Sequence, residues 1–248
     1  MDFLKNSEVE VIEDLQYKEF KIIQQRNGFK FGVDAVLCAY YSEHLIKPGD
    51  KVLDLGTGTG IISILLAART DAAEITGVEI QKEIADMARR SVALNDIETR
   101  VSIVVEDIAN ISAFGSNLYD HVVSNPPYKK TGSGIVNPTD KKAISRHEVL
   151  CNLEDVVALA SKVLKQYGTF TMVHRPERIC DIMELLRKYK LEPKSMRMVY
   201  PSPDKAPSMV LIRSVKNAKP FLKAEPPLFI FNSAGNYTDE IDSIYNRD

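Results

Sequence analysis

The apolar run Lys51-Val52-Leu53-Asp54-Leu55 passes straight into Gly56-Thr57-Gly58-Thr59-Gly60, and helical spacing begins at Ile61. Few folds place a buried strand, three alternate glycines and a helix in direct succession. The glycines let the backbone turn sharply and let a ligand come close to it. A second strand-like run from Glu74 ends in Glu79, a carboxylate 25 residues after Asp54. In nucleotide sites an acid so placed binds ribose hydroxyls. The segment predicts the start of a doubly wound α/β sheet with a ligand at its carboxyl edge.

A dinucleotide site is the competing reading of such a turn, and two residues oppose it. The third glycine of G-x-G-x-x-G would fall at Ile61, and Asp54 stands directly before the turn. An acid there repels a pyrophosphate and suits a ligand with a cationic amino-acid end. That combination predicts S-adenosylmethionine.

Downstream, a strand predicted over 119–124 closes on Val122-Val123-Ser124 and leads into Asn125-Pro126-Pro127-Tyr128. A strand's carboxyl end is where open α/β sheets bind ligands. The Asn125 amide oxygen and the Pro126 carbonyl can each accept one proton of a planar amino group. Tyr128 offers a ring on which the flat group carrying that amine can stack. The pattern fits methylation of the nitrogen of a planar amine or amide.

Asp54-x-Gly-x-Gly-x-Gly60, Glu79, Glu106-Asp107 and Asn125-Pro-Pro-Tyr128, in that order, resemble the class I S-adenosylmethionine-dependent methyltransferases. The stretch Arg26-Asn-Gly-Phe-Lys-Phe-Gly-Val-Asp-Ala-Val-Leu37 narrows the likeness to the bacterial tRNA1(Val) adenine-37 N6-methyltransferase family. Arg146-His147-Glu148, Pro201-Ser-Pro-Asp-Lys-Ala-Pro207 and Asn236-Tyr-Thr-Asp-Glu240 add to it. The likeness covers nearly the whole chain.

The resemblance implies a Rossmann-like seven-stranded sheet, mostly parallel, with an antiparallel C-terminal hairpin and helices on both faces. It implies catalysis by Asn125, Pro126, Pro127 and Tyr128. The donor would lie on Asp54, Gly56, Gly58, Gly60, Glu79, Ile80 and Asp107, beside Asn125, with Phe31 and Asp34 closing the pocket. Release-factor glutamine methyltransferases use the same four residues, but they carry a helical domain ahead of the fold, and only 50 residues precede the first core strand here. Guanine-N2 methyltransferases of ribosomal RNA are a nearer alternative, because they share Asn-Pro-Pro. DNA adenine methylation would need a target-recognition domain for which no sequence remains.

Strand and helix signals alternate along the chain, with strands at 51–55, 74–79, 101–105, 119–124 and 168–173. Helices are predicted over 34–46, 60–69, 81–94, 152–165 and 176–189, and a strand pair over 195–200 and 208–214. Such alternation indicates a parallel sheet. One methyltransferase domain is expected: an extension over 1–50, a catalytic core over 51–215, and a strand and helix tail over 216–248. A chain of 248 residues, 44% hydrophobic, can bury one large core.

Net charge is −2, but it is unevenly distributed. Residues 129–223 carry 19 Lys and Arg against 9 Asp and Glu, a net of +10, while the remainder carries 13 against 25, a net of −12. That asymmetry is an electrostatic footprint for nucleic acid. The aperiodic stretch 129–150 holds Lys129, Lys130, Lys141, Lys142 and Arg146, and is read as the loop gripping the RNA substrate. Cys38, Cys151 and Cys180 lack metal-ligand or disulfide spacing. They predict a reducing cytoplasm and no metal. No run is long enough for a membrane span, and nothing demands an obligate protein partner.

Overall fold

The structure is a computed structural model that describes residues 4–27, 32–126 and 152–246. A hairpin of β1 (Glu10–Asp14) and β2 (Lys21–Gln25) comes first, followed by α1 (Val33–Glu43). The main sheet then alternates with helices: β3 (Lys51–Leu55), α2 (Ile61–Arg69), β4 (Glu74–Glu79), α3 (Lys82–Leu94), β5 (Val101–Val105) and β6 (Tyr119–Ser124). After the undescribed stretch come α4 (Leu153–Val163), β7 (Leu164–His174), α5 (Ile179–Lys188), β8 (Leu191–Tyr200) and β9 (Met209–Lys216). The tail adds β10 (Lys223–Ala224), β11 (Leu228–Phe229) and α6 (Asp239–Ile244).

Strands β5, β4, β3, β6 and β7 run side by side and parallel, and β9 then inserts antiparallel between β7 and β8. These are the seven strands and the terminal hairpin that the sequence predicts. The sheet nevertheless has nine strands, because β10 and β11 both pair parallel to β8. The correction has a simple cause. An open edge on β8 would expose unpaired backbone groups, and the tail returns to cover it.

Parallel strands are buried on both faces and so read as continuous apolar runs. Val52 lies in one apolar cluster with α1, α2, α3 and α6, whereas Leu53 and Leu55 lie in another with α4 and α5. Residue 54 therefore points toward the α2 side, where its carboxylate meets Ser63. β4 needs its central glycine: a Cβ at Gly77 would stand 2.8 Å from Ile103 and 2.9 Å from Thr57.

The N-terminal hairpin seats on α3. Backbone Ile23 donates to Ser91 Oγ at 2.9 Å, and Arg90 grips both oxygens of Glu10 at 2.7 and 2.8 Å. No strand is predicted before residue 51, so neither β1 nor the ion pair of Glu10 is expected from the sequence. The fold instead shields this acid with a cation 80 residues away. Cys38 is buried as a small core residue, whereas Cys180 is exposed. Among the described residues, no helix is long and apolar enough to cross a membrane.

Candidate active site at the carboxyl edge of the sheet

Strand register brings the sequence motifs to one edge. Leu55 pairs with Val78 on one side and with Ser124 on the other, and Glu79 pairs with Val105. The chain therefore leaves the sheet at a common level at Gly56, Ile80, Glu106 and Asn125. Four separate motifs meet there because their strands end together.

The glycine turn is locked beneath the site. Backbone Gly56 and Thr57 both donate to the Val78 carbonyl, at 3.0 and 2.9 Å. Gly56, Gly58 and Gly60 have φ of +74°, +57° and +92°, the left-handed region that disfavours side chains. Gly60 caps α2, and a Cβ there would touch Ala88 and Ile64. A Cβ on Gly56 or Gly58 would meet nothing within 4 Å. The cradle is open above those two residues.

Asp54 is fully buried. Thr57 Oγ1 donates to its Oδ2 at 2.6 Å and Ser63 Oγ donates to the same oxygen at 2.8 Å. Oδ1 is buried with no hydrogen-bond partner among the described residues. Burial pushes this carboxyl up to about 6, against the opposing pull of the Thr57 and Ser63 hydroxyls. A buried carboxylate oxygen without a donor is costly, so the site suits a cation or donor supplied from outside. Sequence reasoning found Asp54 but missed Thr57 and Ser63. A hydroxyl inside the turn and another one turn into α2 were the available signals.

Glu79 ends β4 almost entirely buried. Its Oε2 accepts from backbone Gly58 at 3.1 Å and its Oε1 accepts from backbone Gln81 at 2.8 Å. The carboxylate thus braces the glycine turn and the entry to α3 together. Ile80 follows it, half-buried. Asp107 Oδ1 accepts from backbone Ala109 at 2.8 Å, which fixes the turn after β5 with the acid at the same edge.

Asn125 is half-buried and Pro126 buried just beyond β6. Their position is held from two sides. Ser124 Oγ donates to the Leu55 carbonyl at 2.8 Å, and the Cys38 thiol lies 3.7 Å from the Ser124 carbonyl. Asp34 stands one turn before Cys38 in α1, where its Oδ1 accepts from backbone Ala35 at 2.9 Å. Phe31, Pro127, Tyr128, Lys129, Lys130, Lys141, Lys142 and Arg146 lie outside the described residues. No cluster of three or more metal-ligating side chains occurs among the described residues.

Residues 35–190 match the family model of the methyltransferase small domain. A tRNA1(Val) (adenine(37)-N6)-methyltransferase of Porphyromonas gingivalis is 30% identical over 79% of this chain and 78% of its own length. A protein of the same description from Aeromonas hydrophila is 27% identical, over 90% of this chain and 91% of its own. Among solved structures, a predicted O-methyltransferase from Agrobacterium tumefaciens superposes with a TM-score of 0.70 at 23% identity, covering 86% of this chain and 95% of that one. The geranyl diphosphate C-methyltransferase of Streptomyces coelicolor, solved with S-adenosyl-L-homocysteine, gives 0.55 at 14% identity over 73% and 79%. These two likenesses are of fold alone.

Proposed function

The chain belongs to the methyltransferase small-domain family, alongside tRNA1(Val) (adenine(37)-N6)-methyltransferases, and on that premise we propose that it methylates N6 of an unpaired adenine in tRNA, namely adenine-37 of tRNA1(Val). The observation that carries this reading is the register of β3 against β6. Leu55 pairs with Ser124, so the glycine cradle and Asn125-Pro126 leave adjacent strands side by side. One ligand on the cradle and one planar amine on Asn125 would then be neighbours.

The residues present fit S-adenosylmethionine. Asp54 Oδ1 would meet its ammonium, Gly56 and Gly58 leave room for its methionine end, Glu79 would take the ribose hydroxyls, Ile80 would pack on its adenine, and Asp107 would accept from that ring's amine. When bound, it supplies a methyl already activated on a sulfonium. The protein's own work is alignment and electrostatics.

Adenine N6 is a weak nucleophile because its lone pair is delocalised into the ring. The Asn125 amide oxygen and the Pro126 carbonyl accept its two protons and draw the nitrogen toward tetrahedral geometry. Positive charge developing on that nitrogen is stabilised by the same two oxygens. Tyr128 stacks on the base and fixes its plane. As the new N–C bond formed and the methyl's bond to sulfur broke, one proton would leave the nitrogen to solvent, since the motif holds no base. An anticodon-loop adenine is single-stranded and can be splayed onto an aromatic ring without opening a duplex.

Incubation with labelled S-adenosylmethionine and unmodified total tRNA, followed by nucleoside mass spectrometry, is expected to yield N6-methyladenosine. N2-methylguanosine instead, or donor binding without transfer to tRNA, would overturn the reading.

The elevated Asp54 carboxyl sets a pH dependence. Its folded pKa of about 6 lies above its ordinary 3.8, so the fold favours the acid form. That contribution to stability is complete below about pH 4 and is lost as pH rises through 6. Donor binding runs the opposite way, because an ammonium prefers the carboxylate. Calorimetric titration should show donor affinity falling by about tenfold per pH unit below 6. Asp54→Asn should bind weakly and lose that slope. A flat profile in the wild-type protein would remove Asp54 from the donor site.

A further inference from the structure

The sheet ends on one side at the tail strands, and that edge carries an excess of one charge. The segments 190–196 and 217–225 meet where β10 pairs with β8, and they hold Lys190, Lys194, Lys219 and Lys223 against two acids, Glu192 and Glu225. Both acids are engaged. Glu192 is gripped by Arg187 at 3.0 Å, and Glu225 turns to the hydroxyl of Tyr41 in α1. Lys190, Lys219 and Lys223 are exposed and form no ion pair among the described residues.

Lys194 is fixed within this group. Its Nζ donates to the Lys219 carbonyl at 3.2 Å and stands 5.5 Å from the centroid of the Phe221 ring. A carbonyl and a ring orient an ammonium without neutralising it. The backbone beneath is tied down as well. Lys223 and Ala224 pair with Ser195 and Met196, and backbone Asn217 donates to the Lys190 carbonyl at 2.8 Å.

Strand register relates these cations to the methylation site. Val123, two residues before Asn125, pairs with Thr171, Thr171 with Arg213, Arg213 with Ser195, and Ser195 with Lys223. Lys223 therefore lies in one row across the sheet with the strand end that carries Asn125. From β6 to β10 the row has four strand steps, on the order of 19 Å at about 4.8 Å each. At roughly 3.4 Å per stacked nucleotide, about six nucleotides cover that distance. That is enough to run from a splayed target base into the adjoining stem.

The chemistry of the group selects its ligand. Ammonium groups bring charge and donors but no acceptor, which suits phosphate oxygens and carries no base readout. Duplex RNA is recognised largely through its backbone and shape. We propose that Lys194, Lys219 and Lys223, with Lys190 beyond them, form a rim that binds backbone phosphates of the RNA stem adjoining the target adenine. The rim rests on the RNA reading of the Asn125 site and gives that substrate a second contact, made to phosphate. Lysines on a sheet edge also deter pairing between chains, but that role alone would leave RNA affinity unmoved.

The test compares Lys219→Ala/Lys223→Ala with a control, Lys18→Ala/Lys47→Ala, in the full chain. Each variant removes two exposed lysines and the same net charge. Binding to an unmodified anticodon stem-loop is followed by fluorescence anisotropy from about 50 to about 200 mM salt. The rim variant should bind about tenfold more weakly, with a log–log salt slope shallower by roughly 1.4 to 1.8, the share of two phosphate contacts. The control should keep both values. Turnover at saturating RNA, donor affinity and melting midpoint should be unchanged in the rim variant, so that its loss appears in KM. On a single-stranded oligonucleotide with the loop sequence and no stem, the rim variant and wild type should bind alike. Wild-type affinity of the rim variant for the stem-loop would overturn the rim, as would an equal loss in the control. An equal loss on the stemless oligonucleotide would overturn the assignment to the stem. Should wild-type protein not methylate the stem-loop at all, the proposed function fails first, and the two failures are told apart.

Discussion

Asn125→Ala should lower turnover on tRNA by about 10²- to 10³-fold while donor affinity stays at its wild-type value. The direction follows from where the residue sits. Asn125 lies beyond the last residue of β6, half-buried, and the strand end is anchored without it through Ser124 Oγ and the Leu55 carbonyl. Removing its amide therefore leaves the cradle and Glu79 in place. On the proposed mechanism, what disappears is an acceptor for the amine that is to be methylated, and that acceptor is worth most when positive charge develops on the nitrogen. The loss should consequently appear in kcat with the equilibrium constant for the donor unmoved. Asn125→Asp keeps an oxygen in the same position and should retain more activity than the alanine variant. Single-turnover rates at saturating donor, paired with calorimetric donor binding, measure both quantities. Full turnover in Asn125→Ala would shift the chemistry to another part of the edge.

The sequence was informative where local rules and tertiary demands agree. β5 and β6 fall at 101–105 and 119–124 as read, because each carries β-branched apolar residues, Val101, Ile103 and Val105 in one and Val122-Val123 in the other. β8 begins at Leu191 instead of 195 because Pro193, which reads as a strand breaker, sits at an irregularity in the pairing between Pro193 and Ser195. β7 likewise begins at Leu164, four residues early. Its first turn of sequence is polar, yet Gly168 lets the chain pass 2.9 Å, measured to an added Cβ, from the Asp120 carbonyl. The run Leu228-Phe-Ile-Phe231 reads as one strand, but only Leu228–Phe229 pairs with β8. The rest turns away so that Phe231 can meet Tyr237. In the site, acids at strand ends were visible from spacing alone. The hydroxyls that hold Asp54 and the tail strands beside β8 were not, because each depends on contacts between distant elements.

Gly56→Ala should separate folding from binding. At φ of +74° a side chain is disfavoured, and the cost to stability is about 1–2 kcal/mol, from backbone strain alone, since an added Cβ would meet nothing within 4 Å. The effect on the donor should be far larger. Gly56 follows by two residues Asp54, whose Oδ1 is buried without a partner among the described residues, and precedes by two the Gly58 amide that Glu79 holds in place. On the proposed function, a glycine in this conformation with nothing packed on it is where the donor's methionine end comes closest to the backbone. A methyl group there displaces the ligand's closest approach to the backbone, and donor affinity should fall by about 100-fold, roughly 2.7 kcal/mol. Gly60→Ala is the contrast. Its Cβ would press on Ala88 at 3.4 Å and on Ile64 at 3.5 Å, on the protein side of the turn. That variant should lose stability without a comparable selective loss in donor binding. Thermal melts and donor titrations on the two alanine variants give the comparison directly. If Gly56→Ala bound the donor normally, the cradle would have to lie elsewhere, and Asp54 would be left with a buried oxygen that no ligand reaches.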